Sequence, residues 1–178
     1  MDLRDVKEFI KDALKYVVTI FVVIFIIVYV VTLQQVIGPS MQTTLNDQDI
    51  VILSKIHYKI FKIKRFDVIA LKYADTKYLI KRVIGMPGDK IEYKNGVLYV
   101  NDTAIKESFL DKRVTTDDFS IESLGYNRIP DNMYLVLGDN RKNSLDSRSK
   151  KVGLIKKNDI IGRVNIRIWP ITKLKLVK

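Results

Sequence analysis

From Tyr16 to Leu33 the chain runs for 18 residues without a charge, and only Thr19 and Thr32 are plainly polar. As an α-helix rising about 1.5 Å per residue, this stretch would be about 27 Å long, close to the hydrocarbon thickness of a bilayer. A buried helix of a soluble domain shows one polar face, and this one has none. Val, Ile and Thr supply 13 of the 18 residues. They are mediocre helix formers in water, but lipid leaves the backbone no alternative to a helix. The pattern predicts a transmembrane anchor over 16–33, preceded by a short charged tail over 1–15.

Beyond Leu33 the period changes to alternation. It predicts strands over 50–53, 67–73, 78–85, 133–137 and 160–169. Residues 90–100 form a hairpin with Asn95-Gly96 at its turn, a pair that accepts the positive φ angles a tight turn needs. Residues 102–128 are polar and read as an irregular excursion. The expected fold is mainly β: a single N-terminal transmembrane helix followed by one coiled β-sheet or β-barrel domain over 34–178.

Charge sharpens this division. The net charge is +11, but residues 1–15 carry four basic and four acidic side chains, so the whole excess lies beyond the apolar stretch. Such a domain suits nucleic acid, anionic lipid or plain solvation. Lys11 and Lys15 flank the apolar stretch and place the tail in the cytoplasm and 34–178 outside it. The stretch exceeds a signal-peptide core, and a cut after Gly38 would meet Pro39, so the anchor is expected to stay uncleaved. A lipid bilayer is therefore the expected partner and nucleic acid is not. Between 55 and 65, Tyr58, Ile60, Phe61 and Ile63 alternate with basic residues, a composition suited to an anionic leaflet. With no Cys and one His, His57, thiol nucleophiles, cysteine-ligated metals and a Ser/His/Asp triad fall away. Any hydrolytic chemistry needs another base.

Three segments could carry chemistry. Gly38-Pro39-Ser40-Met41-Gln42-Thr43-Thr44-Leu45 puts a serine just beyond the anchor, where a turn or cap residue is the plain reading. In Tyr78–Asp89, alternation sends Lys81 and Arg82 to opposite faces. If Leu79 and Val83 face the core, Lys81 goes with them and burial lowers its pKa toward that of a usable base. With the register shifted by one, Lys81 is solvated and Arg82 pairs inside. Gly138–Arg148 is a dense polar loop. It is not a calcium loop, since Ser144 stands where glycine is needed and Lys150 where glutamate is needed. Asp146 and Arg148 are spaced to pair.

In this order after an anchor, the three segments resemble the type I signal peptidases. Ser40–Leu45 matches their S-M-x-P-T-L, Arg65-Phe66-Asp67 their R-G-D, Lys81–Asp89 their K-R-V-x-G-x-P-G-D, and Gly138–Arg148 their G-D-N-R-x-x-S-x-D-S-R. The closing Ile166–Pro170 is similar to that of Gram-positive members. The resemblance implies a serine endopeptidase with a Ser/Lys dyad, Ser40 as nucleophile and Lys81 as general base. It implies that Ser144 holds the Lys81 amine, that Asp146 and Arg148 brace the loop, and that the Ser40 N–H stabilises the oxyanion. Met41, Leu79 and Ile80 fall at positions near the substrate pocket. The implied partners are signal-peptide-bearing pre-proteins with small residues before the cut, met by a monomer that needs no cofactor and no metal. Thr43 stands where the family usually has proline, Phe66 where it has glycine, and Gly38 where some members add a serine hydroxyl. A self-cleaving repressor-type protease shares the dyad but has a DNA-binding domain in place of the anchor. The remaining alternative is an inactive or binding-only membrane-tethered relative.

Overall fold

A computed structural model of the protein describes residues 3–25, 29–74 and 77–177. Helix α1 spans Leu3–Phe25. The charged tail and the first part of the apolar stretch are thus one continuous helix, with no break at Tyr16. The apolar stretch does not stay helical to Leu33, because Val31–Gln35 is strand β1. The expected anchor therefore divides between α1, residues 26–28, which lie outside the described residues, a π-helical turn at Tyr29 and Val30, and β1. Among the described residues, no helix is long and apolar enough to cross a membrane. Sheet pairing explains the change: Val31, Thr32 and Leu33 lie opposite Ser54, Leu53 and Ile52 of β2 (Ile50–Ser54). β-Branched residues meet no propensity cost in that setting.

The remainder is built from antiparallel strands. After β2 and the four-residue helix α2 (His57–Ile60) come β3 (Val68–Ala74), β4 (Lys77–Gly85), β5 (Ile91–Lys94) and β6 (Val97–Val100). They are followed by β7 (Thr103–Ile105), β8 (Phe119–Ser120), β9 (Met133–Leu137), β10 (Ile155–Lys156), β11 (Ile160–Trp169) and β12 (Lys175–Leu176). The larger sheet runs β1-β2-β11-β3-β4-β9-β10, with β12 added to β11, and the smaller runs β7-β6-β5-β8. Among the described residues both sheets have open ends, so the coiled-sheet expectation holds and a closed barrel does not. Register shifts along β11, β3–β4 and β4–β9 mark the irregularities that bend the larger sheet.

Residues 102–128 are more regular than their polar composition suggests, since β7 and β8 give the small sheet its outer strands. Ile84, Leu135 and Leu137 of the larger sheet pack there against Tyr93, Leu98 and Val100 of the smaller one. A second apolar cluster joins Met41 and Leu45 to Val51, Leu53, Val68, Ala70 and Ile80. Each such aliphatic side chain removed from water is worth about 1.5–3 kcal/mol. This packing seats the segment after β1 against the middle of the larger sheet.

Candidate active site

Strand β4 is buried on both of its faces. Lys81 is 2 % exposed and Arg82 0 %. The two alternatives left open by the alternation therefore merge: Lys81 points inward, and Arg82 pairs inside as well. Arg82 reaches Asp139 through Nε at 2.9 Å and Nη2 at 2.7 Å, donates to the Phe66 carbonyl at 2.9 Å, and lies 4.0 Å above the Phe109 ring. A planar guanidinium held by a two-pronged carboxylate fixes the loop after β9 against β4.

On the other side, Lys81 Nζ donates a hydrogen bond to Ser40 Oγ at 2.6 Å. The serine comes from the turn after β1 and the lysine from mid-β4. Met41 is buried beneath this pair and anchors the turn. Burial lowers the Lys81 pKa from 10.5 to about 8, against the opposing charges of Asp146 and Asp139. The ammonium is shielded from solvent, and among the described residues no carboxylate lies within hydrogen-bonding range to compensate fully. It therefore gives up its proton far more readily than an exposed lysine.

Asn140 secures the serine from the other direction. Its backbone N–H donates to the Ser40 carbonyl at 3.0 Å and its side-chain amide to the Pro39 carbonyl at 3.2 Å. A Cβ on Gly138 would collide with Ser144 Oγ and the Ser40 carbonyl, so only glycine allows the approach. Asp139 also accepts from Thr44 Oγ at 2.5 Å. By composition alone, Gly138–Asn140 belongs to a solvated polar loop. The signal that could have found them was the glycine next to a run of short polar residues.

Asp146 and Arg148 pair at 2.9 Å. Burial alone would raise the Asp146 pKa, but the Arg148 side chain and the Gly138 N–H hold the carboxyl below its usual value. Arg148 also donates to the Arg141 carbonyl at 2.7 Å. Ser144 differs from expectation. Its buried Oγ makes no hydrogen bond to the Lys81 amine in this structure and lies beside Asp146, whose carboxyl it helps hold below its usual value. Its backbone turns it toward Gly138 and the underside of the Ser40 segment instead.

Arg141, which the sequence left without a role, ties the loop to the small sheet. It binds Glu107 at 2.6 and 3.1 Å, Thr116 at 2.7 Å and the Tyr93 hydroxyl at 2.9 Å. Phe66 has φ +72°, the left-handed region that favours glycine, which accounts for the glycine usual at that position. Here its ring packs on Phe109 at 5.1 Å.

A cleft of about 440 Å³ opens onto the Ser40–Lys81 pair, between Gln34–Ile37 on one wall and Tyr78–Ile80 on the other, with Met41 at its base. The pairing explains why it is open. β9 covers β4 only from Arg82 onward, whereas Tyr78, Leu79 and Ile80 pair with β3 alone. One edge of β4 therefore keeps its backbone donors and acceptors for a visiting strand. Other depressions lie beside β12 and along the small sheet, but neither holds a hydroxyl next to a buried amine. Among the described residues no group of His, Cys, Asp and Glu is placed to hold a metal ion.

Residues 7–169 match the family described as signal peptidase, peptidase S26. The chain is 42% identical over 144 residues to a signal peptidase I of Bacillus caldolyticus, covering 76% of this chain and 78% of that protein. It is 38% identical over 157 residues to a signal peptidase IB of Staphylococcus aureus, covering 82% of this chain and 81% of that protein. A crystal structure of a signal peptidase I from Enterococcus faecalis superimposes with a TM-score of 0.51 at 35% identity, covering 58% of this chain and 97% of the other.

Proposed function

The chain belongs to the signal peptidase family, peptidase S26, and from that premise we propose that it removes N-terminal signal peptides from exported pre-proteins with Ser40 as nucleophile and Lys81 as general base. The observation that carries the reading is the 2.6 Å contact between Lys81 Nζ and Ser40 Oγ within a buried setting. Once Lys81 is neutral the contact reverses, and the Ser40 hydroxyl donates to the amine. Oγ attacks the scissile carbonyl as its proton passes to Nζ, and the proton then goes to the departing amine. An acyl-enzyme on Ser40 remains. Neutral again, Lys81 Nζ next takes a proton from a water that attacks the acyl carbonyl, and returns that proton to Ser40 Oγ as the ester bond breaks. The Ser40 N–H is the proposed oxyanion donor. Asp139, Asn140, Asp146 and Arg148 keep the loop beneath the serine in place.

The substrate enters as an extended strand along the free edge of Tyr78–Ile80. Its alternate side chains turn toward Met41, Leu79 and Ile80, where the limited space suits small residues before the cut. Attachment to the membrane is part of the same reading. In α1, Tyr16, Phe21 and Phe25 expose most or about half of their surface, an apolar face that would be left in water without lipid around it. We read this helix and the apolar residues that follow it up to β1 as a single-pass anchor with the N-terminus cytoplasmic and the β domain, which begins with β1, on the opposite side, acting as a monomer.

The test is to incubate the purified full chain with pre-proteins and sequence the new N-termini. Ser40→Ala and Lys81→Ala are each expected to abolish the cleavage that the unaltered chain performs. Full activity in either variant overturns the dyad.

A further inference from the structure

The connection between β2 and β3, residues 55–67, holds six basic side chains if His57 is included and one acid, the buried Asp67. We propose that its tip, residues 59–64 at the end of α2, is a docking surface for the anionic headgroups of a lipid bilayer; the inference rests on the membrane attachment proposed above. The structure selects which residues face outward. Ile63 is 5 % exposed and Tyr58 is half-buried, so both are drawn into the domain, whereas Ile60 is 64 % and Phe61 58 % exposed. Lys59, Lys62 and Lys64 are exposed around them. This gives an apolar pair ringed by ammonium groups, the composition that settles between headgroups.

The tip is held rigidly. The Tyr58 hydroxyl donates to buried Asp67 at 3.0 Å, the Lys64 N–H to the same carboxylate at 2.9 Å, and the His57 ring rests 5.0 Å from that of Phe61. Its position follows from one further bond. The Lys55 N–H donates to the Val30 carbonyl at 2.9 Å, which ties the start of the connection to the residue just before β1. Val30 is the fifth position after Phe25, the last residue of α1, and five residues span at most about 17 Å. The uncharged run Tyr16–Val30 would rise about 22 Å even if wholly helical, less than a bilayer core of about 30 Å. A span that short draws its flanking residues onto the lipid surface, and the 55–67 connection is the part bonded to that flank.

The chain has no cysteine, so a nitroxide on Phe61→Cys reports this site alone, and one on Val22→Cys reports α1. The full chain is reconstituted into vesicles of phosphatidylcholine, with or without one-third phosphatidylglycerol, and label depth is read from collisional relaxation. Phe61→Cys is expected at headgroup depth in the anionic vesicles and in water in the neutral ones. Lys59→Gln/Lys62→Gln/Lys64→Gln is expected to return it to water, since each lysine near such a surface shifts the docked ratio about fivefold. A Phe61→Cys label in water in both vesicles, or equally immersed in both, overturns the inference while Val22→Cys in lipid leaves the anchor standing. Val22→Cys in water overturns the anchor, and the docking surface with it.

Discussion

Asn140 donates its backbone N–H to the carbonyl of Ser40 at 3.0 Å, so the loop after β9 sets the height of the serine above the Lys81 amine. The position of the proposed nucleophile is therefore controlled from a segment far along the chain. That control depends on Gly138, whose missing Cβ leaves room for the Ser40 carbonyl and Ser144 Oγ.

Gly138→Ala is accordingly expected to lift the Ser40 segment away from Lys81. A displacement of about 1 Å at a reacting atom costs about 100-fold in rate. Steady-state kinetics on a peptide spanning a cleavage site is the check, and a kcat within threefold of the unaltered enzyme would contradict the expectation.

Arg82 and Asp139 form a fully buried ion pair, with neither side chain exposed. Removing one partner strands the other, so Arg82→Met or Asp139→Asn is expected to cost about 3–5 kcal/mol in denaturant unfolding. The double variant Arg82→Met/Asp139→Asn is expected to cost less than the two single losses added together, because no lone charge remains.

Much of this arrangement can be read in the sequence. The Lys81-Arg82 pair within an alternating strand implies opposite faces, and the short polar spacing of Asp146 and Arg148 implies their pairing. The β4 register could not be settled there, because a strand covered on both faces gives alternation no solvent side to identify. Val31–Leu33 was misleading for a related reason. β-Branched residues in an uncharged run suit a lipid-bound helix and a paired strand equally, and only the partner β2 decides. Glu107, Tyr93 and Thr116 gave no signal, since their common purpose appears only when Arg141 reaches across from a distant loop.

That reach can be tested. Glu107→Gln keeps the size of the side chain but weakens the clamp on Arg141, whose Nε also supports the Gly138 carbonyl at 3.1 Å. The expected result is a roughly tenfold fall in kcat with KM nearly unchanged, because the loop beneath Ser40 loosens while the β4 edge does not. Arg141→Lys is expected to do no better, since one ammonium cannot replace a forked guanidinium. A change confined to KM would place Glu107 in substrate binding instead.

Stability should carry the mark of the lysine. Its folded pKa, about 8, lies below its ordinary 10.5, so between those values the unfolded chain binds more protons and stability rises with pH. Below about pH 8 the fold carries a constant penalty of about 3 kcal/mol. Lys81→Met removes that penalty, and its stability relative to the unaltered chain is expected to be most favourable at pH 7 and to decline toward pH 10. Denaturant melts at several pH values measure it, and a pH-independent difference would contradict the buried-amine account.

The most direct measurement is the pH dependence of kcat/KM for peptide cleavage, which reports the ionisation of the free enzyme. A neutral Lys81 acting on Ser40 requires a tenfold rise per pH unit through the acid range, levelling near pH 8. A profile that is flat across this range, or that keeps rising to the pKa of an exposed lysine, would contradict it.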